Sequence, residues 1–546
     1  MKIALAQLNY HIGNFESNTS KIIQYIEKAK NEQADIVVFS ELAVCGYPSL
    51  DFLEFDDYIN QCKASIDKIT AAANDIAVIV GAPSINPDAE GKKLFNSAYF
   101  ISDNKIQSIY NKGLLPNYDV FDEYRYFEPA SDFKIITHKG LNIALTICED
   151  LWNIEEENKL YRNTPMEVLI GQKPDVMINI AASPFSYGHS DLRKRLMQKN
   201  AERYKLPLFY VNQVGAQTEL IFDGNSMVYS SSGTILEEMD YFKEDFKVYN
   251  LKEIETGYKS NPRKIPSTTE AIYQALVLGV KDYFSKMEFS KAVLGLSGGI
   301  DSALTLAIAA EALGPKNVQA VLMPSMFSSD HSVKDAVDLA TNLGCPYNIT
   351  NITTIFDSFI STLEPQFKDL PFGLAEENLQ ARSRGVILMA ISNKFGSILL
   401  NTSNKSEMAV GYGTLYGDMC GGLSVLGDVY KTEVFELAKF VNREKEIIPT
   451  NTISKPPSAE LRPDQKDSDS LPAYEILDKI LFEYIENKKG PQEIINLGFD
   501  ELTVKRILKL VNNNEYKRKQ APPILRVSNK AFGPGRRMPI VGKYLG

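Results

Sequence analysis

The run Ala292-Val293-Leu294-Gly295-Leu296-Ser297-Gly298-Gly299-Ile300-Asp301-Ser302 constrains this chain more than any other stretch. A short apolar run, read as a strand, stops at a small hydroxyl-rich loop, and residues 303–312 then read as a helix. Paired glycines at a strand–helix junction let backbone N–H groups approach phosphate oxygens, and the helix N-terminus adds partial positive charge. Ser297 and Ser302 add donors, and Asp301 adds a carboxylate able to hold a divalent cation between phosphates. The P-loop NTPase pattern Gly-x4-Gly-Lys-Ser/Thr does not occur. A lone Gly-Gly reads as an ordinary tight turn; the whole hexapeptide 297–302 after a buried-looking strand is far more specific.

One such unit does not account for 546 residues, which at about 100–200 residues per domain divide into two to four. A net charge of −10 argues against a general nucleic-acid or anionic-membrane binder. No apolar run approaches the ~18 residues that span a bilayer, and the first ten residues lack the apolar core of a signal peptide. Five cysteines without Cys-x2-Cys spacing fit a reducing compartment, so the expected location is cytoplasmic. Only four histidines are present, too few for chemistry built on multi-histidine metal sites.

The first half alternates short apolar runs with helical patterns. Strands are expected at 2–8, 35–39, 76–80, 98–101, 143–147, 176–179 and 208–211, and an amphipathic helix at 17–31. A hairpin-like gap between 95–101 and 105–110 predicts mixed rather than all-parallel sheets. Three strand ends carry reactive side chains: Glu41, Lys112 and Cys148. A thiol needs a base and a nearby cation to act as a nucleophile, and a glutamate and a lysine supply both. Taken singly, Cys148 reads equally as a buried core thiol, and Glu41 or Lys112 as a solvated loop charge.

Together, and with the flanks Phe39-Ser40-Glu41-Leu42-Ala43-Val44-Cys45-Gly46-Tyr47-Pro48 and Lys112-Gly113-Leu114-Leu115-Pro116-Asn117-Tyr118, they resemble the Glu-Lys-Cys triad of the nitrilase superfamily, in its glutamine-amidase branch. That resemblance implies Glu41 as general base, Lys112 as electrostatic stabiliser, Cys148 as nucleophile and Glu123 as an additional positioning glutamate. It also implies glutamine contacts at Tyr118 and Ser183. Six positions after that serine, where many relatives carry Lys or Arg, this chain has His189, with Arg193, Lys194 and Arg195 nearby as alternative contacts.

Residues 251–270 are polar with two prolines and read as a linker, with a boundary near 260; Ser267 and Glu270 form a capping-box pattern for a helix running to about 287. Beyond it, strands at 318–325 and 397–400 alternate with helices at 332–343 and 375–392, which predicts a parallel sheet with helices on both faces and ligands at the carboxyl ends of its strands. Residues 454–472 read as a mobile lid or loop ordered by ligand, and the tail 529–546 as mobile and extended rather than helical.

The loop 297–302 resembles that of the N-type ATP pyrophosphatases. Adding Glu376-Glu377-Asn378-Leu379-Gln380-Ala381-Arg382, Asn401-Thr402-Ser403-Asn404-Lys405-Ser406-Glu407 and Ser458-Ala459-Glu460-Leu461, the chain resembles the glutamine-dependent NAD synthetase family over nearly its full length. The fold this implies is α/β throughout: a nitrilase-like α/β sandwich with mixed sheets (1–260, the glutaminase), then a doubly wound parallel-sheet ATP-pyrophosphatase domain (261–546, the synthetase).

The implied activity is ATP-dependent amidation of deamido-NAD to NAD with ammonia from glutamine, through an adenylated intermediate. Gly295, Leu296, Ser297, Gly298, Gly299, Ile300, Asp301, Ser302, Thr402 and Lys431 are then the ATP contacts; Asn378, Glu407 and Lys517 hold deamido-NAD; and Asp301 and Glu407 bind magnesium. The implied partners are the small molecules glutamine, ATP and deamido-NAD and a second copy of the chain in a homo-oligomer, with no nucleic acid or membrane. From the residues alone, Asn378 and Thr402 read equally as helix or turn caps, and 517–519 as a solvated basic patch. The competing readings are another amidotransferase with this ATP loop, a tRNA-modifying enzyme, or a non-catalytic nucleotide-binding scaffold.

Overall fold

Strict alternation of buried side chains builds the first unit, residues 1–265. In the strand Lys2–Gln7, Ile3 and Leu5 point into one apolar cluster and Ala4 and Ala6 into another, so both faces of its sheet are covered. The structure is a computed structural model and describes residues 1–88, 90–155, 159–259, 265–368, 370–463 and 465–544. The expected boundary near 260 falls on residues 260–264, outside the described residues.

A six-stranded sheet runs in the order Asp245–Asn250, Lys2–Gln7, Ile36–Val38, Ala77–Ile85, Leu94–Ser102, Lys105–Asn111. Its central pairs are parallel and its outer pairs antiparallel. A second six-stranded sheet, Ile235–Glu238, Met227–Tyr229, Leu208–Asn212, Val176–Ala181, Leu141–Ile147, Ile136–His138, is likewise parallel at its centre. Ile3, Val38, Ile79 and Phe100 of the first sheet share one cluster with Ile147, Ile178 and Phe209 of the second, which makes the unit a sandwich. The helix Phe15–Asn31, capped by the Asn14 side chain accepting from Ser17 N, buries Ile22 and Ile26 on the outer face of the first sheet. The sheets are mixed, as the hairpin spacing predicts.

The second unit, residues 266–546, contains a five-stranded sheet, parallel throughout: Tyr347–Ile349, Val318–Leu322, Ala292–Gly295, Ile398–Asn401, Leu423–Ser424. The Ser267 hydroxyl accepts from Glu270 N and starts the helix Thr268–Lys286, which packs on the helix Ile300–Leu313. Val293, Val321 and Leu399 pack against Leu388 of the long helix Leu374–Phe395.

Among the described residues the tail 529–546 is extended rather than helical, as expected, but Ala531, Phe532 and Arg536 are buried, and the segment 524–528 before it is tied to the sheet end and its following loop. Ser424 bridges to Ile524, and Asp428 accepts from Val527 N and Ser528 N. Lys405, with no exposed surface, donates to Ser528 Oγ at 2.6 Å and the Lys530 carbonyl at 3.0 Å, and pairs with Asp428 and Glu486 at 2.9 Å each. A buried ammonium must be paired and hydrogen-bonded, and the tail supplies part of that shell.

Candidate active sites

In the first unit, Glu41 directly follows the end of the strand Ile36–Val38 and its two-residue extension. Gly81 of the neighbouring strand lets the two backbones meet: a Cβ there would lie 2.3 Å from Leu42 N. Glu41 Oε1 accepts from Lys112 Nζ and Asn96 Nδ2, both at 2.7 Å, and Oε2 accepts from Ala182 N at 2.9 Å. The same ammonium donates to both oxygens of Glu123 at 2.9 and 2.8 Å, and Tyr47 OH donates to Glu123 at 2.9 Å. None of Glu41, Lys112, Glu123 and Cys148 is more than 5 % exposed, so the solvated-charge alternative fails for Glu41 and Lys112.

Cys148 sits at a strand end with φ +43°, where the chain turns abruptly from Leu141–Ile147 into a short 3-10 turn. Asp150 fastens that turn to the lysine segment by accepting from Gly113 N, Leu114 N and Ile147 N. Burial, then the Glu41 charge, push the Cys148 thiol well above its ordinary range, against the pull of Lys112. Burial opposes the Lys112 charge too, but Glu123 and Glu41 hold that ammonium well above its usual value. The resting arrangement is therefore a neutral thiol beside a fixed cation and a carboxylate poised to take its proton.

Around the thiol, Tyr118 OH and Tyr161 OH donate to Glu149 at 2.9 and 3.0 Å, and burial pushes Glu149 up to about 7. Ser183 Oγ lies 3.2 Å from His189 Nε2, and the His189 ring stacks on Trp152 at 4.7 Å. Tyr118, Ser183 and His189 are thus all brought beside the Cys148 turn. The alternative basic contacts are not. Arg193 is fully buried on Asp223 at 2.6 Å, Lys194 pairs with Glu238 at 2.8 Å, and Arg195 reaches towards Glu155 at 3.7 Å. The helix His189–Tyr204 turns Arg193 inward, where its charge is neutralised locally.

In the second unit the strand Ala292–Gly295 delivers the glycine loop. Gly298 has φ +82°, and a Cβ there would lie 2.2 Å from the Ser332 carbonyl, so only glycine fits. Ser302 Oγ donates to the Gly299 carbonyl at 3.0 Å and lies 3.2 Å from Ser297 Oγ. The loop opens on a cavity of ≈ 560 Å³ whose wall includes Gly295, Ser297, Asp301, Thr402, Glu407 and Lys431. That volume suits a nucleotide-sized ligand.

Lys431 Nζ bridges Asp301, at 2.5 Å, and Glu407, at 3.3 Å, while Asn404 Nδ2 donates to the other Asp301 oxygen at 2.8 Å. Burial pushes Glu407 up to about 8; Lys431 offsets this in part and Asp301 adds to it. Asn378 and Lys517 stand apart from the cavity wall. Asn378 accepts from Thr414 Oγ1 at 2.7 Å, and Lys517 donates to the Gly411 and Gly413 carbonyls at 2.8 Å each, so both converge on the segment 411–414 instead.

Residues 2–254 match the family model for carbon-nitrogen hydrolases, and residues 272–521 that for NAD synthases. The chain is 49 % identical over 99 % of both lengths to the glutamine-dependent NAD(+) synthetase of Synechocystis sp., and 44 % identical over its whole length and 98 % of the partner to that of Acinetobacter baylyi. The chain belongs to the glutamine-dependent NAD(+) synthetases.

A solved synthetase of this family, from Acinetobacter baumannii in complex with ADP, superposes with a TM-score of 0.79 at 41 % identity, covering 99 % of this chain and 98 % of that one. A second, from Cytophaga hutchinsonii, shares the fold with a TM-score of 0.85 at 21 % identity, covering 99 % and 98 %. As a member of the synthetase family the chain is a ligase that takes its amide nitrogen from glutamine, not a non-catalytic scaffold.

Of two further features of this synthetase, the sequence misses one and anticipates the other only as a loop ordered by ligand. Glu149, next to the nucleophile, is overlooked because its tyrosine partners lie 31 and 12 residues away. Glu460, in the segment 454–472, accepts from Ser329 Oγ and Ser332 Oγ at 2.8 Å each, which brings that segment to the cavity wall.

Proposed function

We propose that residues 1–260 act as the glutaminase and 261–546 as the synthetase of an enzyme that converts deamido-NAD to NAD. The observation that carries this reading is the presence in one chain of the buried Glu41–Lys112–Glu123 array around Cys148 and of the Asp301–Lys431–Glu407 array beside the glycine loop.

At the first site Glu41 takes the thiol proton as Cys148 Sγ attacks the glutamine amide carbon, and Lys112 and backbone donors of the Cys148 turn stabilise the developing oxyanion. Ammonia leaves with that proton, and a water deprotonated by Glu41 then releases glutamate from the thioester. Tyr118, Glu149, Ser183 and His189 hold the α-ammonium and α-carboxylate of glutamine, with Glu149 the acceptor for the ammonium.

At the second site the nicotinate carboxylate attacks the α-phosphorus of ATP and expels pyrophosphate. Ammonia then displaces AMP and forms the amide. The loop 295–302 and Thr402 bind the ATP, and Asn378, Glu407 and Lys517 the dinucleotide. Asp301 and Glu407 suit a magnesium ion: they are two carboxylates sharing one ammonium, and burial disfavours the charge on Glu407. Among the described residues no cluster of three or more His, Cys, Asp or Glu offers a complete protein shell, which fits an ion that keeps water and phosphate oxygens. Bound there, magnesium would neutralise charge on the departing pyrophosphate. Lys431 meanwhile holds its charge beside the phosphates.

The enzyme acts on small molecules in the cytoplasm as a homo-oligomer. Five free cysteines support the reducing compartment, and no described helix is long and apolar enough to cross a membrane. Exposed Val386, Met389 and Phe395 on the helix Leu374–Phe395 support self-association.

The test is NAD and AMP formation from deamido-NAD, ATP and magnesium, with glutamine or ammonium as nitrogen source. Cys148→Ala should abolish the glutamine-driven reaction and spare the ammonium-driven one. No NAD from either source with the native protein would overturn the reading.

A further inference from the structure

Arg384 is a half-buried guanidinium with an incomplete set of partners. It lies on the helix Leu374–Phe395 and lines the cavity of the synthetase site. Its Nε donates to the Met323 carbonyl at 3.1 Å, at the end of the strand Val318–Leu322, which anchors one edge of the planar group. That is its one hydrogen bond among the described residues, and no carboxylate pairs with it. Three of the other four lysine and arginine side chains of the same wall are matched, Lys431 with Asp301 at 2.5 Å, Lys455 with Asp335 at 3.4 Å and Arg462 with Glu377 at 4.0 Å; the fourth, Lys466, is exposed to solvent, whereas Arg384 is not.

The absence of a partner has a cost. A guanidinium stays charged at any physiological pH, and removing it from water without an anion is unfavourable. Burial lowers Arg384 to about 10, and the attraction of Asp418 and Glu460 does not make up the difference. The surroundings also fix where the group lies. Gly385, next in sequence, faces the 416–420 loop so closely that a Cβ there would lie 2.9 Å from the Tyr416 carbonyl, which pins this turn of the helix. The free edge of a guanidinium held by one nitrogen offers two donors in a rigid fork, the arrangement that grips phosphate.

We propose that Arg384 is a phosphate contact of the synthetase site, its guanidinium binding a phosphate oxyanion of the bound nucleotide, either ATP or the dinucleotide substrate. This rests on the synthetase reading above and adds a residue that neither the glycine loop nor the Asp301–Lys431–Glu407 array contains.

The test is calorimetric titration of the full-length protein with a non-hydrolysable ATP analogue and, separately, with deamido-NAD. Native protein is compared with Arg384→Met and Arg384→Lys, with melting temperature and glutamate release from glutamine as checks on folding. Arg384→Met should weaken one of the two nucleotides at least tenfold, and which one weakens identifies the phosphate. Arg384→Lys should recover part of that loss, because a point charge survives without the fork. Affinities within twofold of native for both nucleotides in Arg384→Met would overturn the proposal. So would equal losses in the Lys and Met variants, which would mark a packing role. If Arg384→Met does not fold, Arg384→Lys decides: a threefold or greater loss for one nucleotide supports the contact, and no loss rejects it. If the native protein binds neither nucleotide, the synthetase reading itself fails, and this inference with it.

Discussion

Lys112 and Glu41 form an ion pair of 2.7 Å in which neither side chain is more than 1 % exposed. The pair does not stand alone, because the ammonium also neutralises Glu123. Lys112→Met would leave two buried carboxylates facing each other without a cation. Breaking such an array costs about 3–5 kcal/mol, and losing one oxyanion stabiliser costs about 10²–10³-fold in rate. Glutamate release should therefore collapse together with the melting temperature of the first unit. A variant that melts like the native protein would show that Glu123, whose carboxyl burial pushes up, is neutral at rest.

Glutamine binding should depend on pH through Glu149. Its folded value of about 7 lies above the ordinary 4.5, so the folded chain holds a proton that the unfolded chain has already lost. The stabilisation from that protonated group is complete below about 4.5 and disappears as pH rises through about 7. An α-ammonium favours the ionised carboxylate. Glutamine should thus bind Cys148→Ala about tenfold more tightly at pH 8 than at pH 6, with proton release near pH 7. Titration in buffers of different ionisation enthalpy measures both, and Glu149→Gln should abolish the proton release.

Gly298→Ala should disable one half of the enzyme. The new methyl group meets the Ser332 carbonyl at 2.2 Å in a backbone conformation that alanine resists. A strained loop of this kind costs about 1–3 kcal/mol. NAD formation should be lost with glutamine and with ammonium alike, while glutamate release persists. Activity above a tenth of native would mean that the helix Asp330–Leu343 yields to the loop.

Magnesium and Lys431 should compensate for one another in stability, though not in rate. Lys431→Met leaves Asp301 and Glu407 without their shared cation. Its melting temperature should rise on adding magnesium by more than that of the native protein, and NAD synthesis should fall about 10²–10³-fold with either nitrogen source. In the native enzyme a chelator should stop AMP formation and leave glutamate release intact. A melting temperature indifferent to magnesium in both proteins would count against Asp301 and Glu407 as its ligands.

What was legible in the sequence was what is local. Glu41, Lys112 and Cys148 each follow an apolar strand, so their placement at strand ends can be read from hydrophobic runs, and the loop 297–302 carries its own strand and helix. Partners distant in sequence were not legible. Arg193 looks like a free base on a helix surface until Asp223, 30 residues on, claims it. Glu149 looks like one more acid until two tyrosines close on it. The strand Asp245–Asn250 pairs antiparallel with the first strand of the chain, although its polar composition blends into the linker. The tail is extended, as its sequence suggests, yet it is packed. Its glycines, prolines and arginines suggest a loose end, whereas Phe532 is buried beneath Arg518 and Arg536, and Ser528 just before the tail is bound to Asp428, 100 residues earlier.

The clasp between Lys405 and Ser528 also bears on the order of synthesis. Ribosomes deliver Lys405 first, and its hydroxyl partner arrives 123 residues later. Until then Lys405 has Asp428 and Glu486 as partners but lacks the hydroxyl and carbonyl that complete its shell. A prematurely terminated product ending before Ser528 would leave that buried ammonium two partners short. Residues 1–265, the unit that carries Cys148, do not include these contacts, so loss of the tail should cost ammonium-driven NAD formation before it costs glutamate release.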